Sequence, residues 1–331
     1  MSKFDKLAAF DLAKEKLIKS GCSEENTYGI IEGILDAEFS GIKSHGFHYL
    51  PVYCNHLKIG KIKGDAVSSF KKISNSSLKV DADNGFAHSA ISKGFPELFE
   101  MCSKEGISCM SVYNSYNCGI LGFHTKRIAE KGFLGLGFTN APASIAPLGG
   151  IKPVIGTNPF SVAIKSRGSV KILIDQSASV VAKSEIAVRA KSGESIPTGW
   201  AFGPDGKDTT DPSIALKGTM APSGGYKGFG VGLFVEIMAA CLTGSNLGID
   251  ASSFADDTGG PPATGQFFIA INPEKFSNNF DERIINLINA VESQENARVP
   301  GAKRINNAKI NSNSPITIKE DLYNKILSLQ S

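Results

Sequence analysis

The hydrophobic period of the chain changes at Ser76, and that switch restricts its possible folds more than any other feature. Ahead of it, apolar residues recur at helical spacing: Phe4, Leu7, Ala8 and Leu12 lead on to Leu17-Ile18 and stop at Gly21. Ser23 stands where it can cap a second helix running through Tyr28, Ile31, Ile34, Leu35 and Phe39. Past Ser76, residues 77–81 alternate as a strand does, and 83–87 turn into a helix reaching about Glu105. Residues 106–112 read as a buried strand and 114–122 as a polar loop, followed by a helix to Lys131 and a strand over 133–138. Strand signals return at 160–164, 171–174 and 266–271, with a helix over 230–242. Helical spacing resumes at Glu282 with a helix over 283–291. Thr317-Ile318-Lys319-Glu320 reads as a capping box for the last helix, and 306–314 as a weakly structured linker. At 331 residues the chain exceeds one small core. The pattern predicts an α+β protein: a helical part built from residues 1–72 and 278–331, and an inserted mixed-sheet domain over 73–277.

Charge narrows the function classes. The net charge is only +3 with both signs interspersed, and basic groups such as Lys303-Arg304 are too short for a nucleic-acid footprint. Residues 1–17 carry Asp5, Lys6, Asp11, Lys14, Glu15 and Lys16, so no secretory signal is expected there. Nothing approaches eighteen uncharged apolar residues, so no membrane span is expected. The six cysteines are scattered without a C-x-x-C pair, which predicts reduced thiols in a cytoplasmic protein. The five histidines show no metal-binding spacing, and no metal is expected.

The chemistry is expected in the segment Lys43-Ser44-His45-Gly46-Phe47-His48-Tyr49-Leu50-Pro51-Val52-Tyr53, which gathers a hydroxyl, two imidazoles and two phenols. Imidazole is the side chain best suited to moving protons near neutral pH, and Gly46 would let a second molecule approach the backbone. A histidine that merely packs after a helix is the plain alternative. Serine hydrolysis fits poorly: the glycine preceding Ser44 is one residue too far for a nucleophile elbow, and adjacent Ser44 and His45 side chains point apart in most backbone conformations.

Dinucleotide signals are present but unorthodox. Gly135-Leu136-Gly137 lacks the third glycine of G-x-G-x-x-G, and 228–232 fails the spacing, so an ordinary Rossmann domain is not expected. Gly149-Gly150, Gly156-Thr157-Asn158-Pro159 and Gly224-Gly225-Tyr226-Lys227-Gly228 could still hold phosphates through free backbone N–H groups and a lysine ahead of a helix. Asp175 ends an apolar strand, with Ser177 and Ser179 after it and Glu185 ten residues on. A carboxylate there could orient an imidazolium or bind a ribose, or could be a plain strand-end acid.

Taken in order, these motifs resemble the malate/L-lactate dehydrogenase family, the non-Rossmann NAD(P)-dependent group that also includes sulfolactate and ureidoglycolate dehydrogenases and reductases of cyclic imino acids. The resemblance runs from about Thr27 to Arg304. It is carried by Ser44-His45-Gly46 with Leu50-Pro51-x-Tyr53, Asp83-x-Gly85-Phe86, Asn114-Ser115, Thr139-Asn140 and Ala146-Pro147-x-Gly149-Gly150. Further matches are Gly156-Thr157-Asn158-Pro159, Ile196-Pro197-x-Gly199-Trp200, Gly224-Gly225-x-Lys227-Gly228 and Val299-Pro300-Gly301. The resemblance implies a helical part from both chain ends, an α+β part with an atypical NAD or NADP site, and a homodimer. It implies that His45 moves the substrate's proton, with Ser44 in its hydrogen-bond relay. The cofactor would be lined by Asn117, Gly119, Thr157, Asp175, Ser177, Gly225, Lys227, Arg298, Gly301 and Arg304.

Three departures bear on the substrate. Many members carry arginine where this chain has Tyr49, and a phenol cannot grip a carboxylate bidentately. Many have histidine where Asn117 stands. Glu185 falls where hydroxy-acid members often have lysine and imine-reducing members an acid. His48 or Lys43 could supply the missing positive charge. The expected activity is NAD(P)-dependent interconversion of a small 2-hydroxy acid and its 2-oxo acid, with His45, Ser44 and Glu185 catalytic and Tyr49, His48 and Asn117 on the carboxylate substrate. The alternatives are reduction of a cyclic imine such as a piperideine- or pyrroline-carboxylate, and a non-catalytic dinucleotide-binding protein.

Overall fold

The computed structural model describes residues 1–329. Its helical part starts with a short strand, β1 (Ser2–Phe4), and helix α1 (Lys6–Lys19), opened by Asp5, whose carboxylate accepts from the Ala8 N–H at 2.8 Å. Helix α2 (Glu24–Ser40) has Glu24 and Glu25 in its first turn, where the helix dipole favours acids, and it stops at Gly41 with φ 79°. Ser23 holds the N-cap position, but its side chain makes no capping bond. Two 3₁₀ turns lead from there into α3 (Leu50–Lys58), where Pro51 lies in the first turn and so costs no helical hydrogen bond.

The sheet elements then follow: β2 (Ser69–Ser74), which begins inside the stretch expected to be helical, β3 (Ser77–Asp81), α4 (Ala87–Glu105), β4 (Ile107–Ser115), α5 (Leu121–Glu130), β5 (Leu134–Thr139), β6 (Phe160–Ser166) and β7 (Ser169–Gln176). After it come α6 (Lys183–Ser192), β8 (Ala201–Phe202), α7 (Pro212–Ala215), β9 (Thr219–Met220) and α8 (Tyr226–Glu236), which continues as a π-helical turn over Ile237–Cys241. The chain closes with β10 (Thr264–Ile271), α9 (Phe280–Glu292), α10 (Ala302–Asn311), β11 (Ile316–Ile318) and α11 (Glu320–Leu327).

Seven strands form one mixed sheet in the order β2-β3-β4-β10-β5-β6-β7. Among the described residues only β3 and β4 pair in parallel, and α4 is the crossover that a parallel pair requires. The remaining neighbours are antiparallel, so this is the expected mixed-sheet fold and not a doubly wound one. The Gln266–Ile271 run lies at the centre, which is why it reads as nearly unbroken apolar sequence. β2 is an exposed edge, and Lys71 and Lys72 discourage further pairing there.

The two ends of the chain share a core. β1 pairs with β11, Ser2 opposite Ile318 and Phe4 opposite Ile316, and the cluster of Leu17, Ile30, Phe47, Leu50 and Tyr53 includes Ile316, Ile318 and Ile326. This tertiary strand overrides the capping box: Thr317 faces Lys3 in the ladder, and α11 starts after Lys319 without a side-chain cap. Glu320 instead accepts from the N-terminal ammonium at 2.8 Å. Residues 306–311 belong to α10 and are not linker, because Ile305 packs against Ala129, Ala163 and Leu173. Helix α9 lies on the sheet, with Ile284 and Ile288 against Ile172 and Val299.

Candidate active site

The two 3₁₀ turns between α2 and α3 set the geometry. They place the Ser44 hydroxyl 3.1 Å from Nδ1 of His45, so the adjacent side chains meet instead of diverging. The pairing leaves Nε2 of His45 for a ligand. Gly46 is required by the protein's own packing: a Cβ there would stand 2.2 Å from Oε1 of Glu38, which accepts from the Phe47 N–H at 2.9 Å. Burial pushes the Glu38 carboxyl up despite this bond.

His45 is held below the usual histidine range, first by burial, with Asp175 opposing and Arg304 reinforcing the shift. The imidazole is therefore neutral at pH 7 and able to accept a proton. Tyr49 lies parallel to it, ring centroids 6.2 Å apart at 5°, and edge-on to Tyr53 at 4.9 Å. Burial lifts the Tyr49 phenol to about 12, and its hydroxyl donates to the Phe254 carbonyl at 3.4 Å. Tyr53 is buried and donates to Oδ1 of Asn117 at 3.3 Å, and the same oxygen accepts from the Gly119 N–H at 2.6 Å. The amide oxygen is thus engaged, and the NH₂ end of Asn117 is left to meet a ligand.

Beside this wall, β7 delivers Asp175. Its side chain is 8 % exposed and accepts from Nη1 of Arg304 at 2.6 Å. Helix α5 comes so close that a Cβ on Gly122 would lie 2.7 Å from Oδ2 of Asp175. The 298–304 segment is tied to β7 by the Leu173 N–H donating to the Pro300 carbonyl, 3.1 Å, with Gly301 (φ 82°) fitted over Leu173. The result is a cleft of ≈ 200 Å³ lined by Asp175, Arg298, Gly301, Lys303 and Arg304. Three cations facing one carboxylate in a glycine-floored cleft fit a phosphate-bearing dinucleotide.

The other expected cofactor residues gather along one line of turns. The Thr157 carbonyl accepts from the Ala178 N–H at 2.7 Å, and the Ala178 carbonyl from the Ser223 N–H at 2.7 Å, linking the 156–158 turn, Ser177 and the Gly224-Gly225 turn. Asn158, at φ 35°, anchors that line by donating to Oε2 of Glu236 at 2.6 Å and to the Gly232 carbonyl at 3.0 Å. Gly225 (φ 65°) precedes α8, and Lys227 is exposed in its first turn with no ion pair among the described residues.

Two other expected residues form no hydrogen bond or ion pair with His45 among the described residues. Glu185 is in the first turn of α6 and accepts from Nε of Arg189 at 3.3 Å; no hydrogen bond or ion pair joins it to His45. His48 is exposed on the second turn. Burial and the nearby Lys191, Lys325 and Lys319 keep it below its usual range, so it is no substitute for a missing cation. The sequence reading missed the layer behind the site, where Tyr116 meets Nδ1 of His56 at 2.7 Å and the Phe254 ring at 5.3 Å. Only the Leu50-Pro51-x-Tyr53 match pointed toward it.

A desolvated histidine tied to a serine hydroxyl, beside an arginine-lined cleft on a non-Rossmann mixed sheet, fits the chemistry of a dinucleotide-dependent dehydrogenase or reductase. The chain belongs to the malate/L-lactate dehydrogenase family, whose family model matches residues 4–327. It is 38% identical over 271 residues to the (2R)-3-sulfolactate dehydrogenase (NADP(+)) of Chromohalobacter salexigens, covering 82% of this chain and 81% of that one. It is 31% identical to the Delta(1)-pyrroline-2-carboxylate reductase of Ancylobacter novellus, over 96% and 94% of the two chains. Among solved structures, the delta1-piperideine-2-carboxylate reductase of Pseudomonas syringae superposes with a TM-score of 0.93 at 27% identity, over 99% and 100%. The sulfolactate dehydrogenase of Methanocaldococcus jannaschii superposes at 0.89 and 27%, over 99% and 96%. The protein is an NAD(P)-dependent oxidoreductase of the 2-hydroxy-acid type.

Proposed function

We propose that His45 is the acid–base residue of a reaction that interconverts a small 2-hydroxy acid and its 2-oxo acid. The Ser44–His45 contact carries this reading: with Nδ1 tied to the hydroxyl, Nε2 is free to take the substrate's hydroxyl proton in oxidation and return it in reduction. When bound, NAD or NADP supplies or takes up the hydride. Arg298, Arg304 and the Lys227 turn hold its phosphates, Asp175 and Gly301 shape the cleft, and Thr157, Ser177 and Gly119 line the remainder. The NH₂ group of Asn117 and the Tyr49 face orient the substrate. Glu185 is kept as a candidate only through its place in the family pattern.

Self-association fits the outer face of α8 and its π-turn, where Val231, Leu233, Phe234, Ile237 and Leu242 are all exposed. So contiguous an apolar strip on one helix suits a homodimer. No helix among the described residues is long and apolar enough to cross a membrane, and six free thiols suit work in the cytoplasm.

The test is a panel of 2-oxo acids and cyclic imines with NADH and NADPH, followed by cofactor absorbance. Turnover of a 2-oxo acid is the expected result. Turnover of cyclic imines alone would transfer the assignment to imine reduction, and oxidation of neither cofactor would leave a binding protein.

A further inference from the structure

Lys61 is 1 % exposed and has no ion-pair partner among the described residues. Its ammonium donates to the carbonyls of Ser253, Asp256 and Thr258 at 2.7, 2.8 and 2.7 Å, using all three of its protons. A buried cation is costly to leave unsolvated, so this cage fixes the loop as much as the loop satisfies the lysine. All three acceptors lie between α8's π-turn and β10, on a stretch without helix or strand. Phe254 sits inside the arc they define. Its carbonyl accepts from Tyr49, and its ring packs edge-on against Tyr116. Asn55 adds a second tie by donating to Asp257 at 2.6 Å. The loop is therefore strapped to α3 and the turn after it, and Tyr49, beside His45, is the N-cap residue of that helix.

We propose that Lys61 is a positioning residue for substrate recognition: through three loop carbonyls it holds Phe254 against Tyr49 and so fixes the uncharged aromatic wall that meets the substrate's side chain. The proposal rests on the reading of His45 as the acid–base residue. It implies that the wall contributes to binding of 2-oxo acids in proportion to the side chain they present, and contributes nothing to glyoxylate, which has none.

The experiment is Lys61→Ala in the full chain, assayed with the best 2-oxo acid of the panel and with glyoxylate. The KM of the larger acid should rise by about tenfold, the scale of one lost pocket contact, while kcat and cofactor Kd stay within about twofold. Glyoxylate KM should not move. Added propylammonium, which replaces the deleted part of the side chain inside the carbonyl cage, should lower the raised KM toward the parent value. Unchanged KM for the larger acid overturns the proposal, as does an equal loss on both acids without rescue, since that is the signature of general loosening. Should Lys61→Ala fail to fold, Phe254→Ala, which leaves the strap intact, must show the same side-chain-selective rise, and a normal KM there overturns the proposal. Undiminished turnover in His45→Ala is a separate result: it sinks the reading of His45 whatever Lys61→Ala does.

Discussion

Ser44 Oγ and His45 Nδ1 lie 3.1 Å apart although the residues are neighbours in sequence, because a 3₁₀ turn rotates both side chains to one side. His45→Ala should therefore lower turnover by about 10²–10⁴-fold while fold and cofactor affinity stay near those of the parent. In the parent, oxidation needs the neutral imidazole. Since burial holds His45 below 6.5, oxidation should persist as pH falls past 6.5 and fade only further down, once the pH passes the depressed value, the reverse of the reduction profile. An unchanged acid limb in the variant would show that another group carries the proton.

Arg304 and Asp175 act on the same imidazole with opposite sign. Arg304→Met removes the cation that depresses His45 and leaves the nearly buried Asp175 carboxylate without its 2.6 Å partner. The acid limb of oxidation should then move to higher pH, cofactor affinity should fall, and stability should drop by ~1–3 kcal/mol. Titration of kcat/KM together with calorimetry of cofactor binding checks both. A limb that stays in place would mean the pair does not act on His45.

Tyr49 stays a neutral phenol across the working pH range, since burial lifts it to about 12. Tyr49→Arg should improve turnover of dicarboxylic and short 2-oxo acids by adding a bidentate carboxylate grip, at the cost of the bond to the Phe254 carbonyl. A variant that unfolds would show that the ring is packing and not a specificity position.

His88 and His124 lie buried with ring centroids 5.4 Å apart, and neither Nδ1 has a partner among the described residues. Burial holds His88 at about 3 and His124 well below its usual value. Below pH 6.5 the unfolded chain binds protons that the folded one refuses. Stability is therefore full above 6.5 and should fall as pH drops toward 3, by up to ~1.4 kcal/mol per unit for each histidine. Denaturant midpoints at about pH 7.5 and about pH 5.5 measure this, and His88→Leu should shrink the difference. Parallel losses in parent and variant would exonerate His88.

The sequence by itself determined the α+β class, most strands and helices around the sheet, and the segment in which Ser44 and His45 meet. Each is written locally, as a hydrophobic period or as residues a few positions apart. Chain contacts over long separations decided the rest. Thr317 begins a good capping box, yet it pairs with Lys3 because β1 and β11 bury Phe4, Ile316 and Ile318 in one core. Residues 306–311 look loose in sequence but are helical once Ile305 finds Leu173. Whether Asp175 is a plain surface acid depends on Arg304, 129 positions away. Phe254 and Lys61 carry no motif at all, and only packing brings Phe254 to Tyr49 and Lys61 to the loop around Phe254. A side chain's period is set by its own neighbours, whereas its partner is set by how the helical ends close on the sheet, and no stretch of sequence read alone encodes that closure.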